Sequence, residues 1–234
     1  MIGLELIKLL AVSLISVFLY SVYVKAFKRL SQTERTLGLA SHKSKNGTIT
    51  MGGIIFLILP LFFVPFTKET QMILFVTLGF GILGFIDDLL IIIFKKNDGL
   101  PAALKLVIEI LIAGVAFFFY LKEDNPTSIY SLDLKWFFGI LILWMLVSSS
   151  NAWNLMDGVD GLCSGCSLIF GIGLMCIAYK EAKFDILYVL LAFHICLFVF
   201  WCFNLPKAFL FMGDVGSLGL GAFYAITSIY LNSV

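Results

Sequence analysis

Residues 136–179 read WFFGILILWMLVSSSNAWNLMDGVDGLCSGCSLIFGIGLMCIAY, in which two apolar runs flank a polar stretch at 151–162. Two amides and two carboxylates follow one another there at three-residue steps: Asn151, Asn154, Asp157 and Asp160. On a continuing helix, this spacing would place neighbouring side chains on adjoining parts of one face. Gly158 and Gly161 loosen the backbone where the acids cluster. Because a fold has little use for such a polar cluster between hydrophobic segments, the stretch indicates chemistry.

The composition assigns the whole chain to the membrane class. Hydrophobic residues make up 61% of it and charged residues 13%, and the mean hydropathy is +1.04. A spanning helix needs about 20 mostly apolar residues. The candidate spans are 2–24, 51–66, 72–94, 102–121, 136–156, 162–179, 186–205 and 215–232. The sequence therefore predicts an all-α, polytopic membrane helical bundle with about eight transmembrane helices, in which residues 1–234 form one integral-membrane domain.

The charges indicate an orientation rather than a nucleic-acid partner. The formal net charge is only +1, so no nucleic acid is expected. Basic residues concentrate in alternate loops: Lys25, Lys28, Arg29, Arg35, Lys43, Lys45, Lys95, Lys96 and Lys207. The positive-inside rule puts these loops in the cytoplasm and the N-terminus outside. The ends of the first, third, fifth and seventh helices then share the cytoplasmic face, where every polar motif would meet.

Two further acidic motifs stand at helix positions that suit function. Asp87 and Asp88 interrupt the run 72–94, which is otherwise free of charge. Ionisable groups at such depth cost about 3 kcal/mol each and usually serve a function. Near the C-terminus, Asp214 lies between two glycines at the predicted start of the last helix, with Ser217 close behind. A carboxylate beside exposed N–H groups at a helix N-terminus suits a metal ion bound to phosphate.

The most hydrophilic loop, 25–50, ends in a turn rich in glycine and threonine. Its segment 41–53 reads SHKSKNGTITMGG. Lysine charge beside hydroxyls and open backbone N–H groups suits an anionic ligand. The alternative is a loop whose lysines only fix the orientation of the chain.

Other polar residues have a structural interpretation as well as a functional one. Lys105 and Glu109 are four residues apart, and a local ion pair and a role in binding are both open. Cys163 and Cys166 form a lone C-x-x-C, for which small packing residues are favoured over a metal or redox site. His194 is interpreted as a hydrogen-bonded packing residue rather than a proton relay.

The acidic and amide residues together suit a hard metal ion. The oxygen-rich set is Asp87, Asp88, Asn154, Asp157, Asp160 and Asp214. Oxygen ligands with little cysteine or histidine favour Mg²⁺ or Mn²⁺ over zinc. With the lysines of loop 25–50, such a site suits a nucleotide diphosphate from the cytoplasm, and the lipid bilayer suits a lipid as second substrate. Phosphoryl transfer between them would need positioning and charge neutralisation.

Four motifs, in this order, carry a resemblance to a known family: TITMGG at 48–53, FIDD at 85–88, NAWNLMDGVDGL at 151–162 and FMGDVGSL at 211–218. Together they make the chain similar, over essentially all 234 residues, to the polyprenyl-phosphate N-acetylhexosamine-1-phosphate transferases. The resemblance implies a Mg²⁺-dependent enzyme of the bacterial plasma membrane that moves an amino-sugar phosphate from UDP to a polyprenyl phosphate and releases UMP.

The loop 41–53 and the motif KKNDGL at 95–100 indicate which sugar is moved. Within the family they favour N-acetylmuramoyl-pentapeptide, with undecaprenyl phosphate as acceptor, in the first membrane step of peptidoglycan synthesis. UDP-N-acetylglucosamine or a related sugar is the alternative. A cation or proton transporter is less favoured, because transporter acids lie near the midplane of two related halves, whereas these gather at one face.

The resemblance also implies roles for single residues. Asp87 is expected to act as base or nucleophile on the lipid phosphate, with Asp88 in support. Asn154 and Asp214 are expected to hold Mg²⁺, with Asp157 beside them as a catalytic residue. The residues expected to bind substrate are Lys45, Thr50, Asn151 and Asp160. Direct attack and a covalent phospho-enzyme are both open.

The chain departs from the family in two places. Ile49 stands where members usually have proline. The family normally continues for two more helices and a cytoplasmic His-rich loop, so we expect either a fragment or a reduced enzyme. The expected partners are the UDP-linked amino sugar, the polyprenyl phosphate and the bilayer, and a homodimer is left open.

Overall fold

A computed structural model describes residues 2–26, 48–94, 99–122, 127–129, 132–133, 136–205 and 207–231. Its helices are α1 (Ile2–Ala26), α2 (Gly53–Ile58), α3 (Lys68–Phe94), α4 (Ala102–Lys122), α5 (Trp136–Met156), α6 (Leu162–Lys180), α7 (Phe184–Asn204) and α8 (Gly213–Leu231). A 3₁₀ helix, Leu59–Phe62, follows α2. Two short strands, β1 (Ser128–Ile129) and β2 (Leu132–Asp133), pair antiparallel between α4 and α5. The predicted all-α bundle is confirmed.

Six of these helices are long and apolar enough to cross a membrane: α1, α3, α4, α5, α6 and α7. Their side chains are mostly apolar. A helix also pairs its internal backbone N–H and C=O groups with each other, as a bilayer requires. The predicted second span, 51–66, is broken as its prolines indicated, since α2 ends at Ile58 and Pro60 lies in the 3₁₀ helix. The predicted last span corresponds to α8, which is buried along almost its whole length.

The helices alternate in direction, so the loops fall into two sets at opposite ends of the bundle. At one end, the α6–α7 turn contacts the start of α3 and the end of α8, where Lys183 lies 3.7 Å from Glu69 and bonds the carbonyl of Tyr230. The opposite end contains the last turns of α1 and α5, the connections that follow α3 and α7, and the first turn of α8. We call this second end the polar end. The predicted convergence of the motifs on one face is present.

Helix α8 is the centre of the bundle, and small residues let its neighbours approach closely. Helices α3 and α5 make the most extensive contacts with it. A Cβ atom on Gly84 of α3 would fall on the backbone of Asp214, and one on Gly53 of α2 would fall on Gly216. On the α5 side, the Ser150 hydroxyl donates to the carbonyl of Leu218 at 2.9 Å. Such close backbone contacts are what hold helices together within a membrane.

Gly84→Ala is expected to lower the melting temperature of the purified protein, because the new methyl group would collide with a backbone carbonyl that cannot rotate away. Overpacking of this kind costs about 1–3 kcal/mol. Gly114→Ala in α4 is the matched control, since no atom of another described segment lies within 4 Å of its Cβ position. Thermal unfolding of both variants in detergent measures the difference. Equal melting temperatures would contradict the described contact between α3 and α8.

Candidate active site

The polar end holds an ion cluster built from the consecutive helices α3 and α4 and from α8, which lies far from them in sequence. Lys105, in the first turn of α4, places its Nζ 2.6 Å from Oδ2 of Asp214, at the start of α8. The same Nζ lies 3.9 Å from Oδ2 of Asp87, near the end of α3. Asp87 is itself fixed, because its Oδ1 accepts a hydrogen bond of 2.7 Å from the backbone N–H of Leu100. The cluster therefore joins the α3–α4 connection to the N-terminus of α8.

Helix α5 completes the cluster through Asn154. Its Nδ2 donates to Oδ1 of Asp214 at 2.9 Å and to the hydroxyl of Ser217 at 2.9 Å. Ser217 in turn donates to the carbonyl of Gly213 at 3.2 Å, one turn back on α8. Asp214 thus accepts from a cation on one oxygen and from an amide on the other, while about a quarter of its side chain, 26%, stays exposed. This exposure leaves a ligand room to approach.

Asp88 lies deeper and has a different neighbour. Only 3% of the residue is exposed, and its Oδ2 accepts from the backbone N–H of Val215 at 3.1 Å. A carboxylate at this place satisfies an open donor in the first turn of α8 and complements the helix dipole. Gly213 has a φ of 76°, and a Cβ there would collide with the Asp88 carboxylate. Asp88 therefore lies beside the site, with glycine required next to it.

The segment 48–53 is bound along the residues that lead into α8. Gly52 donates to the carbonyl of Phe211 at 2.9 Å, and Phe211 donates back to the carbonyl of Ile49 at 2.8 Å. From α1, the hydroxyl of Tyr23 donates to the carbonyl of Thr50 at 3.0 Å. The Thr50 hydroxyl is buried without a hydrogen-bond partner in the part of the chain that is described. Two of the four motifs are thereby joined, and the buried Thr50 hydroxyl lies next to Gly213.

The remaining predicted residues lie around the cluster. Asp157 is half-buried in the turn after α5, where its N–H donates to the carbonyls of Trp153 and Asn154. Asp160 accepts from the N–H of Ala208 at 3.2 Å, so it ties this turn to the connection after α7. Lys45 lies outside the described residues. The structure thus brings Asp87, Asp88, Asn154 and Asp214 together, whereas Asp157 and Asp160 belong to the neighbouring turn.

Three residues that sequence reasoning did not assign to the site are part of its framework. Lys105 forms its ion pairs with Asp214 and Asp87 of other helices rather than a direct bond to Glu109, and its role in binding stays a prediction. Glu109 instead accepts from Asn151 of α5 at 2.6 Å. Asn204, at the end of α7, accepts from the N–H of Gly161 at 2.7 Å and donates to the carbonyl of Leu210 at 2.9 Å. A charged or amide residue in an apolar helix was the available signal for each.

The donor chemistry of the cluster fits a divalent cation. Among the described residues, the site brings together the carboxyl groups of Asp87, Asp88 and Asp214 and the ammonium group of Lys105, so acidic groups outnumber basic ones there. Asp87 and Asp214 both lie beside the ammonium group of Lys105, at 3.9 Å and 2.6 Å, so the two carboxylates face a common cation. The described residues hold no preassembled group of three or more Asp, Glu, His or Cys able to bind a metal. Oxygen donors are the ligands that hard cations such as Mg²⁺ prefer.

His194 and the cysteines lie away from the cluster. His194 contacts the carbonyl of Leu190 through Nδ1 at 2.6 Å and the hydroxyl of Tyr224 through Nε2 at 2.9 Å. These contacts agree with the packing interpretation. Cys163 is buried and lies 3.5 Å from the carbonyl of Trp153, whereas Cys166 is exposed, and both are free thiols.

Replacing Cys163 and Cys166 together by alanine is expected to leave enzyme activity largely intact, because neither sulfur contacts the cluster of acids. The loss of a small buried side chain costs stability of about 1 kcal/mol. Activity per folded protein, measured with the melting temperature on the same sample, separates the two effects. A large fall in activity at an unchanged melting temperature would restore the redox or metal interpretation of the C-x-x-C.

Comparison with known proteins adds a family to this geometry. Residues 70–232 match the family model described as glycosyl transferase family 4. A phospho-N-acetylmuramoyl-pentapeptide-transferase of Geobacillus thermodenitrificans (strain NG80-2) is 36% identical over 232 residues, which cover 92% of this chain and 72% of the relative. The protein of that name from Bacillus subtilis (strain 168) is 38% identical over 224 residues, covering 89% of this chain and 69% of the relative.

Proposed function

The chain belongs to glycosyl transferase family 4, and we propose on that premise that it transfers phospho-N-acetylmuramoyl-pentapeptide from UDP to undecaprenyl phosphate. UMP is the second product, and the reaction is the first membrane step of peptidoglycan synthesis. Relatives that share more than a third of its residues, 36% and 38%, carry the name of this transferase. The predicted preference for the muramoyl substrate over UDP-N-acetylglucosamine agrees with those names.

One observation in the structure carries the proposal: acids and a lysine from separate helices meet at the polar end of a membrane bundle. Phosphoryl transfer needs positive charge beside the phosphates and an acceptor for a proton, and little else. Lys105 supplies the first, and the buried Asp87 supplies the second. A lipid phosphate at the headgroup level reaches such a site from the bilayer, while the nucleotide enters from water.

The identity of the metal and of its ligands is a separate part of the proposal. We assign Mg²⁺ to Asp214 and Asn154, with Asp157 close by in the next turn. The amide nitrogen of Asn154, Nδ2, already donates hydrogen bonds to Asp214 and Ser217. The amide oxygen, Oδ1, is therefore the atom available to a cation. When bound, Mg²⁺ would offset the charge of the pyrophosphate and of the leaving UMP.

In the proposed step, an oxygen of the lipid phosphate attacks the sugar-linked phosphorus of the UDP-sugar. A new phosphorus–oxygen bond forms, the bond to the oxygen shared with the uridine phosphate breaks, and UMP leaves. Asp87 accepts the proton of the lipid phosphate at Oδ2, since its Oδ1 is held by Leu100. Lys105 faces both Asp87 and Asp214, where it holds phosphate oxygens in place. A covalent intermediate on Asp87 is the alternative route, and UMP exchange in the absence of lipid separates the two.

Four residues are proposed to bind the nucleotide sugar: Lys45, Thr50, Asn151 and Asp160. Thr50 offers a buried hydroxyl without a described partner, beside Gly213. Asp160 holds the turn after α5 against the connection after α7, so it shapes the rim of the same end. Lys45 contributes charge from the basic loop.

We further propose that the polar end faces the cytoplasm, with the N-terminus outside, because basic residues concentrate in the loops of that end. A tag at residue 1 should then be reached by antibody on spheroplasts with an intact membrane. Residues 1–234 would act as one membrane domain. A homodimer is also proposed, and light scattering of the purified protein tests it.

The substrate is tested with purified protein in vesicles that contain undecaprenyl phosphate. UMP release is measured with UDP-N-acetylmuramoyl-pentapeptide and with UDP-N-acetylglucosamine, each in Mg²⁺ and in EDTA. The proposal expects release with the muramoyl substrate, lost in EDTA. Faster release from UDP-N-acetylglucosamine would assign the protein to another sugar, and release that persists in EDTA would remove Mg²⁺ from the mechanism.

A further inference from the structure

The orientation of the Asn151 amide is fixed by the atoms around it. Its Nδ2 lies 2.6 Å from Oε2 of Glu109 and 2.9 Å from the carbonyl oxygen of Val147. The carbonyl oxygen of Val147 can only accept, and an ionised Glu109 also accepts, so the nitrogen and not the oxygen of the amide faces them. Both hydrogens of the amide are thereby used. Asn151 is partly exposed, and its Oδ1 is the atom left for a ligand.

Glu109 is an unusual residue to find at the other side of this contact. It lies in α4, only 1% of it is exposed, and its Oε1 is buried without a partner among the described residues. A carboxyl group in an apolar helix costs several kcal/mol unless a donor or a cation offsets it. Lys105 lies one helical turn away, and the short bond to Asn151 is the hydrogen bond that Glu109 makes. The hydrogen bond that Glu109 accepts from the Asn151 amide therefore accounts for the buried position of this carboxyl group.

We infer that Glu109 is a positioning residue that turns Asn151 so that Oδ1 accepts a hydrogen bond from an N–H or O–H group of the UDP-linked substrate. The inference rests on the proposed function for the identity of the ligand. It reverses the usual expectation for asparagine near phosphates, where the N–H₂ group is the one that binds. Asn154, one turn further along α5, is held in the same way by Asp214 and Ser217, so the end of α5 presents two oxygens.

The first test exchanges the chemistry of the pair. Asn151→Asp alone places two carboxylates face to face and should raise the KM for the UDP-sugar at least about tenfold, which corresponds to about 1.4 kcal/mol. Adding Glu109→Gln restores the bond, because the glutamine amide donates to the introduced carboxylate while the other oxygen of that carboxylate still faces the ligand. The double variant should recover part of the loss, because the bond to the carbonyl of Val147 stays missing. Glu109→Gln alone, whose Oε1 can still accept, should cost less than Asn151→Asp.

The second test removes the oxygen and keeps the packing. Replacing Glu109 by methionine and Asn151 by leucine exchanges a polar pair for an apolar one, which is nearly neutral for stability. The melting temperature should stay close to that of the wild type, while KM rises about tenfold and kcat changes little. An unchanged KM in this variant would mean that the pair only joins α4 to α5. If the double variant with Asn151→Asp and Glu109→Gln keeps its melting temperature but its KM does not recover, the ligand needs the N–H₂ group of Asn151.

Calorimetric binding of UMP and of the UDP-sugar to the same variants identifies the donor and needs no turnover. Weaker binding of both ligands would place the donor on the nucleotide, and weaker binding of the UDP-sugar alone would place it on the sugar-peptide part. Either result supports the inference. A wild-type protein that binds both ligands but transfers nothing would count against the proposed function, and the comparison of variants would still decide the role of Glu109. A wild-type protein that binds neither ligand would overturn both.

Discussion

Asp214→Asn is expected to abolish transfer or to raise the Mg²⁺ concentration that half-saturates the enzyme, while the bundle stays folded. Asparagine keeps the size of the side chain but removes its charge. Its N–H₂ group would also meet the ammonium of Lys105 or the amide of Asn154, which are both donors. Removing one preorganised electrostatic group from an active site typically costs about 10²–10³ in kcat. This is the first of the two largest effects that the structure predicts.

The measurement is UMP release by the Asp214→Asn protein over a Mg²⁺ titration, next to its melting temperature. Asp185→Asn is the matched control, because Asp185 is exposed in the first turn of α7, at the opposite end of the bundle. The control should show wild-type Mg²⁺ dependence. Normal activity of Asp214→Asn at unchanged Mg²⁺ would remove Asp214 from the site.

Asp87→Asn is expected to keep nucleotide binding and to lose transfer. The asparagine Oδ1 can still accept from the N–H of Leu100, so the connection between α3 and α4 stays in place. What disappears is the group that takes a proton from the lipid phosphate. General base catalysis contributes about 10²–10⁴-fold, and kcat should fall by that amount.

The loss should depend on pH in a defined direction. A phosphate monoester gives up its second proton near pH 6, at about the value seen for phosphorylated side chains. Below that pH the lipid phosphate is protonated and needs the base, so the deficit of Asp87→Asn should be largest there and should shrink as the pH rises. UDP-sugar affinity and UMP release are measured on one preparation across pH. Retained turnover would refute the base assignment, and lost binding would make Asp87 a metal or substrate ligand.

Much of the architecture follows from local properties of the sequence. Apolar runs of spanning length define the helices, Pro60 breaks the second of them, and alternation of direction brings the motifs to one end. The acids of the cluster were identified because Asp87, Asp88 and Asp214 interrupt segments in which charge is costly. These conclusions need only the order of residues along the chain.

The partners of those acids could not be predicted in the same way. The spacing of Lys105 and Glu109 indicates a local pair, yet each side chain contacts a different helix, at Asp214 and at Asn151. Such contacts depend on which helices neighbour one another, and single-sequence periodicity carries no information on this. The central position of α8 could not be predicted either. Its glycines lower its hydropathy, yet they let the neighbouring helices approach closely, so that α8 occupies the centre of the bundle.

The central claim is that this cluster joins a nucleotide-linked sugar phosphate to a membrane lipid. Its most direct test is the product balance of purified protein supplied with UDP-N-acetylmuramoyl-pentapeptide, undecaprenyl phosphate and Mg²⁺. The proposed reaction predicts equal amounts of UMP and of lipid-linked muramoyl-pentapeptide, with neither formed in steady state when the lipid is left out. Steady UMP release without lipid product, or no UMP release from the complete mixture, would contradict it.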